Sequence, residues 1–102
     1  MDAYCVIDDL SFLKSFVGEG EFDINFGFYP DGLSLSADDS EMEYSLDDSM
    51  FVKYHADDTA YVTVSASRLR DTMKNIDDDE LVRLQVNGPN LNVFTRLYYM
   101  RL

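Results

Sequence analysis

Few residues of this chain could do covalent chemistry. There is one histidine, His55, and one cysteine, Cys5. His55 stands beside a polar stretch, where it reads as a surface residue, and no Ser/His/Asp set surrounds it. One histidine and one cysteine cannot build a zinc site. The aspartates fall in turn clusters: Asp38-Asp39, Asp47-Asp48, Asp57-Asp58 and Asp77–Asp79. None follows the spaced D-x-D-x-D-G pattern of a calcium loop, so they read as solvated turns. Gly18-Glu19-Gly20 lacks the lysine and following helix of a phosphate loop. The chain therefore reads as non-enzymatic, with no metal and no cofactor.

The basic residues are the informative ones. Net charge is −12, with 20 acidic and eight basic residues, and aspartate supplies 15 of the acids. Against that trend Arg68, Arg70 and Lys74 gather within one short segment, YVTVSASRLRDTMKN, from Tyr61 to Asn75. The acidity itself has three readings: an ordinary solvated surface, adaptation to a salty cytoplasm where concentrated salt screens self-repulsion, or mimicry of nucleic-acid charge.

The elements that must carry these residues follow from periodicity. Tyr61, Val62 and Val64 form a short apolar strand that runs straight into a helix, with Ser65 as its N-cap candidate. Leu69, Met73 and Ile76 fall at i, i+4 and i+7, one stripe of a 3.6-residue period. Asp71 and Asn75 lie opposite that stripe. Arg70 and Lys74 sit one turn apart on one flank, and Arg68 borders the other. Earlier in the chain, Ala3–Ile7 reads as a strand. Asp8 and Asp9 can cap a helix over Leu10–Val17, which ends at Gly18 and Gly20 and carries Lys14 on its polar side.

Strands fill the remainder. Glu21–Phe28 alternates Phe22, Ile24, Phe26 and Phe28 with polar or small residues, a half-buried strand. Pro30-Asp31-Gly32 is a turn, and Leu33–Ala37 returns. Met42, Tyr44 and Leu46 alternate again, Asp47–Ser49 breaks the pattern, and Met50–Tyr54 is a further short strand. His55–Thr59 is a polar connection. After the second helix, Leu81–Val86 and Leu91–Phe94 flank the turn Asn87-Gly88-Pro89-Asn90, and Leu97–Leu102 closes the chain. The lone Cys5 lies in an apolar strand and reads as a buried thiol. No run is long enough to span a membrane and the N-terminus has no basic signal region. These features read as a cytoplasmic protein (or nuclear, in a eukaryotic or viral setting), not a secreted one.

The halves match each other. Ala3-Tyr4 pairs with Ala60-Tyr61, Phe12 and Phe16 with Leu69 and Met73, and Glu21-Phe22 with Glu80-Leu81. Gly32-Leu33 pairs with Asn90-Leu91, and Met42, Tyr44 and Leu46 with Tyr98, Met100 and Leu102. The offset stays between 56 and 59. This is an internal duplication of a strand-helix-three-strand unit, with half-repeats of about 3–54 and 60–102 in a single domain over 1–102. The fold class is α+β, with two helices packed on one face of antiparallel sheets.

A duplicated β-α-β-β-β unit of this kind resembles one domain of a DNA sliding clamp of the proliferating cell nuclear antigen type. The segment DGLSLSADDSEMEYSL looks like that family's hairpin, and VTVSASRLRDTMKNIDDDELVRLQV looks like its second half-repeat. The resemblance covers nearly the whole chain. Family members carry two or three such domains per chain, whereas this sequence ends at Leu102, about where a first domain would end.

The resemblance implies a DNA polymerase processivity factor that encircles duplex DNA and tethers replication proteins. Its helices would face the DNA backbone without reading sequence, through Lys14, Arg68, Arg70 and Lys74. It also implies that subunits join through two sheet edges, one with Glu41, Met42, Glu43, Tyr44 and Leu46, the other with Arg96, Leu97, Tyr99, Met100 and Arg101. Pairing them would set opposite charges across a mostly apolar seam. The implied partners are a DNA polymerase, a clamp loader and further copies of this chain, six of them if the ring keeps a six-domain plan. No membrane is implied. The alternative is an acidic binding module of the same fold that forms no ring, acting as a clamp decoy or nucleic-acid mimic.

Overall fold

The computed structural model describes residues 2–38, 43–96 and 99–102. Two helices and nine strands occur among them: β1 (Asp2–Ile7), α1 (Ser11–Val17), β2 (Asp23–Tyr29), β3 (Gly32–Ala37), β4 (Glu43–Asp47), β5 (Lys53–Ala56), β6 (Ala60–Ser65), α2 (Ala66–Met73), β7 (Val82–Asn87), β8 (Asn90–Phe94) and β9 (Tyr99–Arg101). The strands form two antiparallel sheets, β5-β1-β7-β8-β9 and β4-β3-β2-β6. The class is α+β, as the alternation of strand and helix periods predicts.

Pairing crosses between the two halves of the chain. β1 of the first half pairs with β7 of the second, and β6 of the second half pairs with β2 of the first. Each sheet is thus three strands of one half closed by the opening strand of the other, with β5 added at one edge. Hairpin registers repeat as well: Phe26 faces Leu35 in β2–β3, and Leu84 faces Val93 in β7–β8.

Alternation decides what is buried. Ile24, Phe26 and Phe28 are each fully buried, and the rings of Phe26 and Phe28 stack at 6.4 Å. Leu33, Leu35, Leu84, Val86, Leu91 and Val93 join them from the neighbouring strands, and Leu13, Phe16, Leu69, Met73 and Ile76 from the helix side, in one core. The stripe Leu69, Met73, Ile76 is buried as its spacing requires.

Three local expectations change. Ser65 does occupy the N-cap of α2, but its hydroxyl bonds the Ser67 hydroxyl at 2.9 Å and not a first-turn amide. Asp9 acts at the start of α1, where its carboxylate accepts from both the amide and the hydroxyl of Ser11. Those bonds favour its charged form and hold it below the usual carboxylate range, so this contribution is present above that range and is lost on acidification. The strand expected at Met50–Tyr54 begins later. Asp48–Met50 is a 3-10 turn capped by the Asp47 carboxylate, which accepts from the Ser49 amide. β5 then runs to Ala56 because Lys53 to Ala56 pair with Val6 to Ala3, taking in His55, which reads locally as loop.

Tyr54 shows why that shift pays structurally. From β5 its hydroxyl reaches the Tyr29 carbonyl at 2.7 Å and the Gly32 carbonyl at 2.6 Å, clasping both ends of the β2–β3 turn. Burial raises its ionisation above the ordinary phenol range. Stability from the neutral phenol is present below that ordinary range and is lost as pH rises through the folded value. Tyr54→Phe should cost about 1–2 kcal/mol, read as a lower urea midpoint with an unchanged slope. Gly32 itself permits a close approach, since a Cβ there would collide with the Leu46 carbonyl of β4.

Cys5 is fully buried, and burial pushes its thiol pKa far up. A thiol reagent should leave the native protein unmodified at neutral pH and react stoichiometrically once denaturant is added. Rapid native labelling would contradict this packing.

Candidate nucleic-acid interface

The two helices lie side by side, and their basic residues divide into two kinds. Lys14 and Arg70 are engaged within the fold. The Lys14 ammonium donates to the Ile76 carbonyl at 2.6 Å and pairs with the Asp78 carboxylate at 2.7 Å. The Arg70 guanidinium donates to the carbonyls of Gly18 at 3.2 Å and Gly20 at 3.0 Å. Each helix thus sends a cation to the carbonyls that follow the other helix, where the helix dipole is negative.

These ties are reciprocal to the residue. The Leu10 amide donates to the Asp78 carbonyl at 2.9 Å, and the Ala66 amide donates to the Phe22 carbonyl at 2.9 Å. Residues 10 and 66, 22 and 78, 14 and 70, and 20 and 76 correspond, an offset of 56 in every pair. The sequence placed Lys14 among freely exposed polar residues; it is in fact half-buried, with its charge met by Asp78. Arg70 is also half-buried, while its charge faces carbonyls and, among the described residues, no carboxylate within ion-pair distance.

Arg68 and Asp71 are exposed on α2, and Lys74 and Asn75 are exposed in the turn that follows it. Among the described residues neither cation has a carboxylate within ion-pair distance. A small cavity of about 220 Å³ opens between the helices, lined by Lys14, Val17, Arg70, Met73 and Lys74.

β4 is an edge of the four-stranded sheet and β9 an edge of the five-stranded sheet. On β4, Tyr44 and Leu46 lie on the core side, and the Tyr44 ring meets Phe16 edge-on at 5.3 Å while remaining 52% exposed. Glu43 lies on the opposite side. On β9, Met100 faces the core side in register with Val93, while Tyr99 and Arg101 face outward beside Phe94 and Asn92. The expected apolar seam is therefore split: Tyr99 stands on the charged face, not with Met100. Arg96 is exposed and, with Asp79, Glu80 and Leu81, lines a cavity of about 630 Å³ before β9. Glu41, Met42 and Leu97 lie outside the described residues.

The sequence missed the carbonyl acceptors at Gly18, Gly20 and Ile76, since backbone groups leave no residue-type signal. It also missed Arg83, whose guanidinium lies 4.1 Å from the centroid of the Tyr4 ring. The alternation VRLQV does mark Arg83 as outward-facing, but not what it would meet. No group of three or more metal-ligating side chains occurs among the described residues. No helix among them is long and apolar enough to cross a membrane.

Comparison with solved structures shows that the two strand-exchanging sheets and two adjacent helices make the fold of a sliding-clamp domain. A structure of A. fulgidus PCNA bound to the C-terminal region of FEN-1 matches with a TM-score of 0.80 at 18% identity, over 98% of this chain and 44% of that one. A Bartonella birtlesii DnaN sliding clamp, DNA polymerase III subunit beta, bound to griselimycin, matches with a TM-score of 0.69 at 16% identity, over 100% of this chain and 29% of that one. This chain spans less than half the length of either clamp. No protein-family model and no curated protein matches it by sequence.

Proposed function

We propose that this chain is a non-catalytic sliding-clamp subunit, a DNA polymerase processivity factor whose ring encircles duplex DNA. The observation that carries the reading is the near-complete match of the chain to clamp domains of two kinds. In the ring, β4 of one copy pairs with β9 of the next as antiparallel edges, so that head-to-tail contacts close. Parity sets Glu43 beside Arg101 on the outer side and Tyr44 and Leu46 beside Met100 on the core side. Arg68 and Lys74 give weak, salt-sensitive attraction to the DNA backbone, which permits sliding. A DNA polymerase and a clamp loader are the partners of such a ring.

Light scattering after size exclusion tests it, at low salt and at ~2 M salt where surface repulsion is screened. A mass of six times 11.7 kDa in either condition supports a six-domain ring of this chain. A monomer in both sinks self-assembly. The net charge of −12 favours a second reading, an acidic decoy or mimic of the same fold. That protein would bind a basic partner and fail to load on circular DNA.

A further inference from the structure

Apart from Arg101 at its β9 edge, the outer face of the five-stranded sheet has no role in the reading above. Register places two complete rows across it. One runs Lys53, Val6, Arg83, Phe94, Tyr99, and the other runs His55, Tyr4, Gln85, Asn92, Arg101. Three of the chain's eight basic residues stand in these rows, and neither row holds a carboxylate. Asp2 enters only in the next row, opposite Asn87, and Asp57 beyond β5 is met by His55 at 3.2 Å. The matching rows of the other sheet, Glu43-Ser36-Asn25-Thr63 and Ser45-Ser34-Gly27-Tyr61, hold no cation. In a chain of net charge −12 this face is the exception.

Its flat groups are arranged as a surface. His55 stacks on Tyr4 at 5.6 Å, the Arg83 guanidinium lies 4.1 Å from the same ring's centroid, and Phe94 meets Tyr99 at 4.8 Å. Arg83 also donates to Gln85 at 3.0 Å, which fixes its plane. Tyr99 is 49% exposed. At ~4.8 Å per strand, five strands span about 19 Å, room for two or three bases splayed on a sheet.

The geometry points to a binding site for single-stranded nucleic acid on this face, with Tyr99, Phe94 and the Tyr4–Arg83 stack as base platforms and Lys53, Arg83 and Arg101 as phosphate contacts. An exposed ring at Tyr99 and half-buried rings at Phe94 and Tyr4, flanked by exposed cations with no carboxylate within ion-pair distance among the described residues, suit a sequence-tolerant single-strand site. An acidic peptide would use the cations and leave the rings idle. Edge pairing of β9 would set Glu43 of the next copy beside Arg101 and leave Tyr99, Phe94, Tyr4, Arg83 and Lys53 open, so only the Arg101 contact depends on ring closure.

The test is fluorescence anisotropy of a labelled oligothymidylate of about twelve nucleotides, in ~0.1 M salt where the distant acidic loops are screened beyond about 10 Å. Binding is expected, and a blunt duplex of equal length should compete poorly. Tyr99→Ala and Arg83→Ala should each weaken it about tenfold or more. Lys53→Ala, at the edge far from β9, should weaken it less, and Tyr99→Phe should retain it. Arg68→Ala with Lys74→Ala should weaken it less than either sheet variant does. Absence of binding, or loss through the helix variants and not the sheet variants, overturns the proposal. So does an oligoglutamate peptide that binds more tightly than the oligonucleotide, which would assign the face to an acidic protein. Folding of each variant is checked by its urea midpoint.

Discussion

Phe26→Ala should lower folding stability by about 3–5 kcal/mol. Phe26 is fully buried at the middle of β2, where β3 lies on one side and β6 on the other. Truncation removes the ring that stacks on Phe28 at 6.4 Å and leaves a cavity bounded by two paired strands. Those strands cannot collapse into it without breaking the Leu35 and Val62 registers. A domain of this size holds about 5–15 kcal/mol in all, so the loss is a large share. The thermal midpoint should drop by at least about 12 °C. A drop of only a few degrees would mean that the sheet relaxes around the site, contrary to the packing described.

The second large effect is on DNA. Under the proposed clamp reading, Arg68→Ala with Lys74→Ala should weaken duplex association about 60-fold near 0.1 M salt and reduce the salt slope by about two. Both side chains are exposed and carry no ion pair among the described residues, so stability should move by less than about 0.5 kcal/mol. Lys14 and Arg70 behave differently. Removing either leaves carbonyls of the opposite half without their donors, so the fold loosens along with any DNA contact. An unchanged salt slope in the Arg68, Lys74 double variant would exclude those residues from the phosphate contact. Loss of binding with a preserved slope would point to a shape effect instead.

How much of this the sequence could show depends on what each element needs. Alternation at Ile24, Phe26 and Phe28 declares a strand with one buried face, and the spacing of Leu69, Met73 and Ile76 declares a helix, because burial itself imposes those periods. The repeated order of elements is legible for the same reason. Partner choice is not. Nothing local in Lys53–Ala56 announces an edge strand; β5 exists because β1 offers it a free side. Nothing in Lys14 or Arg70 distinguishes a cation held by carbonyls from one in solvent, since the acceptors lie 62 and 50 residues away. The split of Tyr99 from Met100 follows from the period of any strand, but which of the two faces the core is set by pairing with β8.

The strand exchange between halves also governs the order in which the molecule can be made. β1 leaves the ribosome first, yet one of its two sides meets β7, so Ala3 waits for Val86 and Ile7 for Val82. Only the β5 side can be covered early, by residues 53 to 56. Folding is therefore governed by contacts of long sequence separation, which close slowly. Until β7 appears, the apolar side of β1 with Cys5 and Ile7 lacks that neighbour. A nascent chain stalled before β7 is then the form most exposed to chaperones and to aggregation, while one arrested after β8 already has both its sheets joined.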